Sequence, residues 1–378
     1  MPSQILHTLF GEDVISGIYR RTGQDFGIAA GEALEKIRLD YKAAFTLGCQ
    51  GPDIFYHNQT TRPVALEYGT LLHRRGYGVF TAALLKMGLP DPPPDEEDIR
   101  LHRRERGMGA LGAYALGFMT HAILDRFCHP YIIYKAGWVS RGDAGTRKFA
   151  GAHAFFERIL DVLMLEYLRG QPVSSWDQEI LTAICVDPPP GLTELLTRAL
   201  VSAFPERAGK DPLLIRRMEN TLSDCASFYR FTDPQKTSLC RPGRPRGPAW
   251  ARGIPVAYLY PEQFPRDLDY LNLKKGIWYS PAEAGGADDR SFPELYAEAV
   301  ERAVADLSVL AVPYLETGSF PIKEAAQSIG NGGLSLNDGT GKPCVPVRSD
   351  PLPLDEVMAG QRLLRLGGSP GGGGCPEP

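Results

Sequence analysis

The chain has 378 residues, 43% hydrophobic and 23% charged, with a formal net charge of −4. That length allows one large domain or two ordinary ones, and the composition is that of a soluble globular protein. No basic block points to nucleic-acid binding, and seven cysteines without a CxxC pair read as free thiols, not as a disulfide framework or a Cys-rich zinc site. The N-terminus, MPSQILHTLFGEDV, carries neither the basic nor the apolar segment of a secretory signal, so a cytoplasmic location is expected.

In chain order, the apolar spacing predicts a first helix over residues 5–20, carrying His7, and a second over 29–44. In the following stretch, residues 45–58 (FTLGCQGPDIFYHN), Gly51-Pro52 marks a turn, which places Asp53 on a loop close to the core. One helix over 63–87 carries His73, and a polar, proline-rich loop follows over 90–98. Residues 100–106 are charged and would form the solvated first turns of a central helix. Its continuation, residues 107–124, holds no charged residue apart from any charge on His121. That composition predicts a helix buried on all sides. As a membrane span it would be short, and it stands alone in a chain of negative mean hydropathy. Pro130 lacks a backbone donor and biases His129 out of the helical region, so the helix is expected to end there.

Further helices are predicted over 147–169, 174–185, 192–203 and 213–229. Residues 234–265, rich in Pro and Arg, read as a long irregular loop, and 268–279 as a compact segment in which Trp278 and Tyr279 pack. The last long helix spans 291–315, with Ser291 as its cap and Glu294 at the capping-box position. Residues 316–378 are expected to be an irregular extension, largely flexible, ending in a disordered Gly-rich tail from 367. Few stretches ask to be strands. The fold class is therefore all-α: one domain of eight to ten helices over residues 1–315.

The chemistry is concentrated in seven histidines: His7, His57, His73, His102, His121, His129 and His153. His121, Asp125 and His129 are four apart in turn, as are His153 and Glu157, and steps of four stay on one helix face. Imidazole–carboxylate pairs at this spacing are natural zinc chelates. A carboxylate buried between two imidazoles is costly unless something neutralises it, and a divalent metal does that well. Calcium or magnesium would want more oxygen donors. The donor set exceeds one tetrahedral zinc, so two or three ions are expected. A close cluster suits phosphoester hydrolysis, in which metals polarise phosphoryl oxygens and activate water. No GxSxG elbow supports serine hydrolysis. His57, on a polar stretch, and His102, in a charged run, are expected to be ordinary residues.

The segments LHTLF at His7, FTLGCQGPDIFYHN at Asp53, GTLLH at His73, GFMTHAILDRFCHPYI and AHAFFERILD resemble the bacterial zinc-dependent phospholipase C family over roughly residues 5–312. They are also similar to the catalytic domain of the phospholipase D that cleaves glycosylphosphatidylinositol anchors, and more distantly to single-strand nucleases of the same fold. The resemblance implies one zinc at His129, His153 and Glu157, a second at Asp53, His73, His121 and Asp125, and a third at His7 and the other oxygen of Asp125. It implies that Asp53 is the general base near the attacking water. Secreted members close the third site with the amino group exposed by signal cleavage, and here the visible signal is missing.

The expected function is therefore hydrolysis of a phosphodiester, foremost in a phospholipid, which implies peripheral membrane contact and no transmembrane segment. Phe55 and Tyr56, beside Asp53, are the candidates for substrate binding. Two alternatives are a phosphodiesterase on single-stranded nucleic acid and a non-catalytic, metal-stapled binding module. The net charge of −4 argues against the first of these, because phosphate contacts need Lys and Arg.

Overall fold

The computed structural model describes residues 3–25, 36–89, 109–237, 255–261, 263–317 and 321–366. Everything is arranged about the helix Ala110–Ala136, whose side chains from Gly112 to Asp125 are all buried. With no charged residue before Asp125, no face of it gains by pointing at water. Against it pack the helices Gln4–Asp25, Lys42–Cys49, Tyr77–Gly88, Ala152–Arg169 and Phe292–Thr317. Glycine lets the second of these come closest. A Cβ on Gly117 would lie 2.2 Å from the Phe45 carbonyl oxygen, and one on Gly48 2.1 Å from that of Tyr114.

The central helix does not end at Pro130. It runs on to Ala136 and stops at Gly137, whose φ of 67° suits glycine. Tyr131, Ile132, Ile133 and Tyr134 beyond the proline are all buried. Each stabilises by roughly 2 kcal/mol, which together outweighs the proline penalty of about 3 kcal/mol. The Tyr131 hydroxyl also donates to the Tyr270 carbonyl at 2.8 Å.

Other boundaries differ for local reasons. Helical structure, expected to end near residue 44, runs on to Cys49, and Lys42–Cys49 packs on the central helix. Asp53 sits in a 3-10 turn, Gly51–Asp53, that leads into the short helix Ile54–His57. The helix expected over 63–87 is two, Leu66–Arg74 and Tyr77–Gly88, divided at Gly76 with φ 76°. Gly151, with φ 80°, likewise starts Ala152–Arg169 afresh after a 3-10 turn, Ala144–Phe149. Glu179–Val186, Leu192–Ala203 and Leu214–Thr232 form an outer layer that packs partly on itself. Ser291 forms one half of the expected capping box: its backbone N–H donates to Glu294 Oε2 at 2.8 Å, but its hydroxyl donates to the same oxygen, and the Glu294 N–H goes to the Ser291 carbonyl at 3.1 Å.

The extension beyond residue 316 is more ordered than its composition suggests. It contains the helices Ile322–Ile329 and Leu354–Leu366, which bury Ala325, Ile329, Leu354, Val357 and Met358. Their apolar spacing is short but real, and it finds partners on Tyr77–Gly88 and Ala152–Arg169. The only strands among the described residues are Trp278–Tyr279 and Ala287–Asp288, antiparallel, with Trp278 opposite Asp288. Trp278 is buried against Tyr131, whereas Tyr279 is exposed.

No described helix is long and apolar enough to cross a membrane. Cys49, Cys128, Cys185, Cys225 and Cys344 are free thiols. The expectations for residues 29–35, the loop 90–98, the charged run 100–106 with His102, most of the loop 234–265 and the tail from 367 lie outside the described residues.

Candidate metal centre

Five elements bring eight donors together. His7 comes from the N-terminal helix and Asp53 from the 3-10 turn. His73 closes the last turn of Leu66–Arg74. His121, Asp125 and His129 project from one face of the central helix, and His153 and Glu157 from Ala152–Arg169. Seven of the eight are buried, and His153, about one-third exposed, faces solvent.

Local chemistry fixes several of them. A carbonyl only accepts, so the His73 ring must donate Nδ1–H to the Gly69 carbonyl at 2.8 Å, leaving Nε2 with a free lone pair. The Cys49 carbonyl does the same for His121 at 3.3 Å. A Cβ on Gly51 would lie 2.3 Å from His121 Cγ, and φ there is 55°, so only glycine lets the Asp53 turn meet that imidazole. Asp161, one turn beyond Glu157, accepts from the Ser3 hydroxyl and, at 2.8 Å, from Leu6 N–H. This caps the N-terminal helix from outside and ties the position of His7 to that of Glu157.

The donors form three groups, each with ligand atoms within 4.8 Å of one another: His7, His121 and Asp125; Asp53, His73 and His121; and His129, His153 and Glu157. Asp125 joins them. Its Oδ1 lies 3.3 Å from His7 Nε2, and its Oδ2 lies 3.1 Å from His121 Nε2 and 3.5 Å from His129 Nδ1. His73 Nε2 is 3.1 Å from Asp53 Oδ1. Glu157 Oε1 is 3.2 Å from His129 Nε2 and 3.1 Å from His153 Nε2.

Two observations test whether zinc fits. First, ligands about 2.1 Å from a tetrahedral ion stand roughly 3.4 Å apart, and the close pairs here fall around that value. Second, His73 Nε2, His121 Nε2, His129 Nδ1, Asp125 Oδ2 and Glu157 Oε2 are buried with no hydrogen-bond partner. The three imidazole nitrogens approach Asp125 Oδ2, at 3.9, 3.1 and 3.5 Å, yet miss the alignment a hydrogen bond needs, as lone pairs aimed at a common point would, whereas Glu157 Oε1 is hydrogen-bonded to His129 and His153. An unsatisfied buried polar atom costs about 1–3 kcal/mol, so five in one pocket call for an occupant. The donors are imidazole and carboxylate, which is the set zinc takes.

The electrostatics agree. Burial alone would raise the Asp125 carboxyl, but His121 and His129 hold it well below the ordinary range. Asp53 is likewise held low against burial, with His73 and His121 among the causes. Against its own burial, Glu157 is lowered to about 2, with His153 and His129 contributing. Burial lowers His7, and the charge of His121 adds to it. In His129 burial is outweighed by Asp125 and Glu157, so its pKa rises. The centre thus presents ionised carboxylates at neutral pH.

A model of the family described as zinc-dependent phospholipase C matches residues 7–201, more than half of the chain. The chain belongs to that family. The match opens on His7 and takes in all eight donors. No curated protein and no solved structure gives a significant match.

Above the centre lies a cleft of about 620 Å³, reaching His73, His129 and His153. Tyr56 lines it, its ring 5.0 Å from that of His73. Phe55 does not. Its side chain is 0% exposed and turned into the core, because one helical step separates the two residues by about 100°. His57, expected on a polar stretch, is instead buried at the end of the helix Ile54–His57, where it stacks on Phe228 at 3.9 Å.

Ala150, Gly151 and Ala154 of the wall lie within the family match, but Tyr258, Ser335, Met358 and Arg362 come from beyond it and went unread in the sequence. No motif marks them, and only tertiary packing brings them in. Leu334 N–H, for instance, donates to the His73 carbonyl at 2.9 Å, which draws Ser335 alongside.

Proposed function

We propose that this chain hydrolyses phospholipids as a phospholipase C, using two or three zinc ions held by the eight donors above. His129, His153 and Glu157 would hold one. Asp53, His73 and His121, with Asp125, would hold a second, and His7 with the other oxygen of Asp125 a third. The observation that carries this is the set of orphaned lone pairs converging on Asp125 beneath an open cleft. When bound, zinc supplies Lewis-acid polarisation of the phosphoryl group and activation of water.

The chain's own residues supply the rest. Asp53, ionised and itself a member of the second group of donors, would accept a hydrogen bond from the attacking water and act on it as general base despite its low proton affinity. Asp125 and Glu157 offset the positive charge that the cluster would carry. Tyr56 lies over His73, where its phenol can donate to the substrate. The buried floor excludes bulk water, which strengthens each of these contacts. Membrane contact is peripheral in this reading, and the protein works in the cytoplasm.

The test joins metal analysis to turnover. The purified protein should carry at least two zinc ions and release diacylglycerol from short-chain phospholipids, with chelator abolishing release. His121→Ala should lose metal and cost more than the about 100-fold typical of losing an outer support of a ligand. Full turnover in metal-stripped protein would refute the reading. Cleavage of single-stranded DNA in preference to lipid would move the substrate to nucleic acid.

A further inference from the structure

The helix Leu354–Leu366 is attached where substrate must enter. Leu354, Val357 and Met358 are buried, Gln361 donates to the Gln263 carbonyl, and Arg365 donates to the Thr237 carbonyl at 3.2 Å. Met358 Sδ lies 4.0 Å from where a Cβ on Gly151 would stand, two residues before His153. Arg362 is one turn further along the same face, exposed, and lines the cleft. No carboxylate pairs with it among the described residues, and its helical neighbours at three and four positions are Met358, Ala359, Arg365 and Leu366.

The charge pattern of the lining is one-sided. Among the described residues, apart from the histidines of the floor, Arg362 is the one lining side chain with a fixed charge, and no Asp or Glu lines the cleft. A quaternary ammonium in this space would meet a guanidinium and no compensating carboxylate. An anionic or uncharged headgroup would meet a planar donor with five N–H groups.

We propose that Arg362 is a specificity-determining residue that selects phospholipids of net negative charge over zwitterionic ones. The proposal rests on the hydrolase reading above and narrows its substrate class. Arg362 acts through hydrogen bonds to the anionic headgroup region and through repulsion of a headgroup cation. It belongs to no group of metal donors and takes no part in the bond-breaking step.

The experiment compares dihexanoyl-phosphatidylglycerol with dihexanoyl-phosphatidylcholine, both below micelle formation, so that surface charge plays no role. The zinc-loaded wild-type chain should favour the glycerol lipid in kcat/KM by about tenfold, the scale of a partly exposed charge-assisted contact. Arg362→Glu should erase or invert that ratio, and Arg362→Lys should retain most of it. Binding of the uncleavable phosphonate analogues, followed by calorimetry, should show the same order in Kd. Equal use of both lipids, or a preference that Arg362→Glu leaves in place, overturns the proposal while the hydrolase reading stands. If no phosphodiester is cleaved, bis(4-nitrophenyl) phosphate included, the hydrolase reading falls. The phosphonate series then decides for Arg362: an anion preference lost in Arg362→Glu supports it, and none overturns it.

Discussion

Gly51 carries as much of the centre as any ligand. It holds φ at 55° and leaves no room for a Cβ against His121. Gly51→Ala should therefore destabilise the protein by about 1–3 kcal/mol, through backbone strain and displacement of His121. It should also weaken zinc binding. Thermal melts and a zinc titration measure the two effects, and a variant with unchanged melting temperature and unchanged affinity would remove Gly51 from the account. Residues of this kind explain why the candidate donors are legible in the sequence and their supports are not. His121, Asp125, His129, His153 and Glu157 announce themselves because helical periodicity converts a spacing of four into a shared face. The carbonyls of Gly69 and Cys49 that orient two imidazoles have no side-chain signature. Phe55 and Tyr56 were read as a pair because they are adjacent, yet adjacency on a helix sends side chains apart.

Among the elements, the segment after Asp53 is held from a distance by Asp224. Its carboxylate accepts from Asn58 Nδ2, Thr60 N–H and Thr61 N–H at 2.9 Å each, and from both threonine hydroxyls. Partial burial would raise its pKa, but these donors lower it from 3.8 to about 2. A carboxyl depressed in the folded state contributes stability that is complete above its unfolded value and is lost as pH falls through its folded one. The melting-temperature gap between wild type and Asp224→Asn should be constant from pH 7 to about 5 and should shrink from about pH 4 towards 2. A gap that persists at pH 2 would mean that Asp224 acts by packing. The element boundaries misread in the sequence share one cause. Pro130 looked like a stop because its local penalty is visible, whereas the four buried side chains beyond it gain their stabilisation only from distant partners. The helices after residue 321 were hidden in the same way: short, flanked by Gly and Pro, and stable only where they dock.

For the whole molecule, the family match and the working unit have different limits. Residues 7–201 hold every proposed ligand, yet Leu334 braces His73, and Ser335, Met358 and Arg362 wall the cleft. Arg126 reaches the carbonyls of Ile329, Gly330, Gly332 and Gly333, locking that turn to the central helix. A chain ending at residue 317 should melt several degrees lower and bind zinc at least about tenfold more weakly, the lower end for loss of an outer support. Calorimetry and competition with a chelator of known affinity measure both, and an unimpaired truncation would make the extension dispensable. The all-α class could be read from periodicity alone. The participation of residues 321–366 could not, because nothing local encodes it. The placing of three donors on one rod has a consequence for how such a molecule can diverge. Between His121 and His129 the axis rises by about 12 Å, a spacing set by hydrogen-bonded backbone and not by any loop. Insertions at the rim can therefore reshape what enters the cleft over many generations while the interval between the candidate metal donors on this rod stays calibrated.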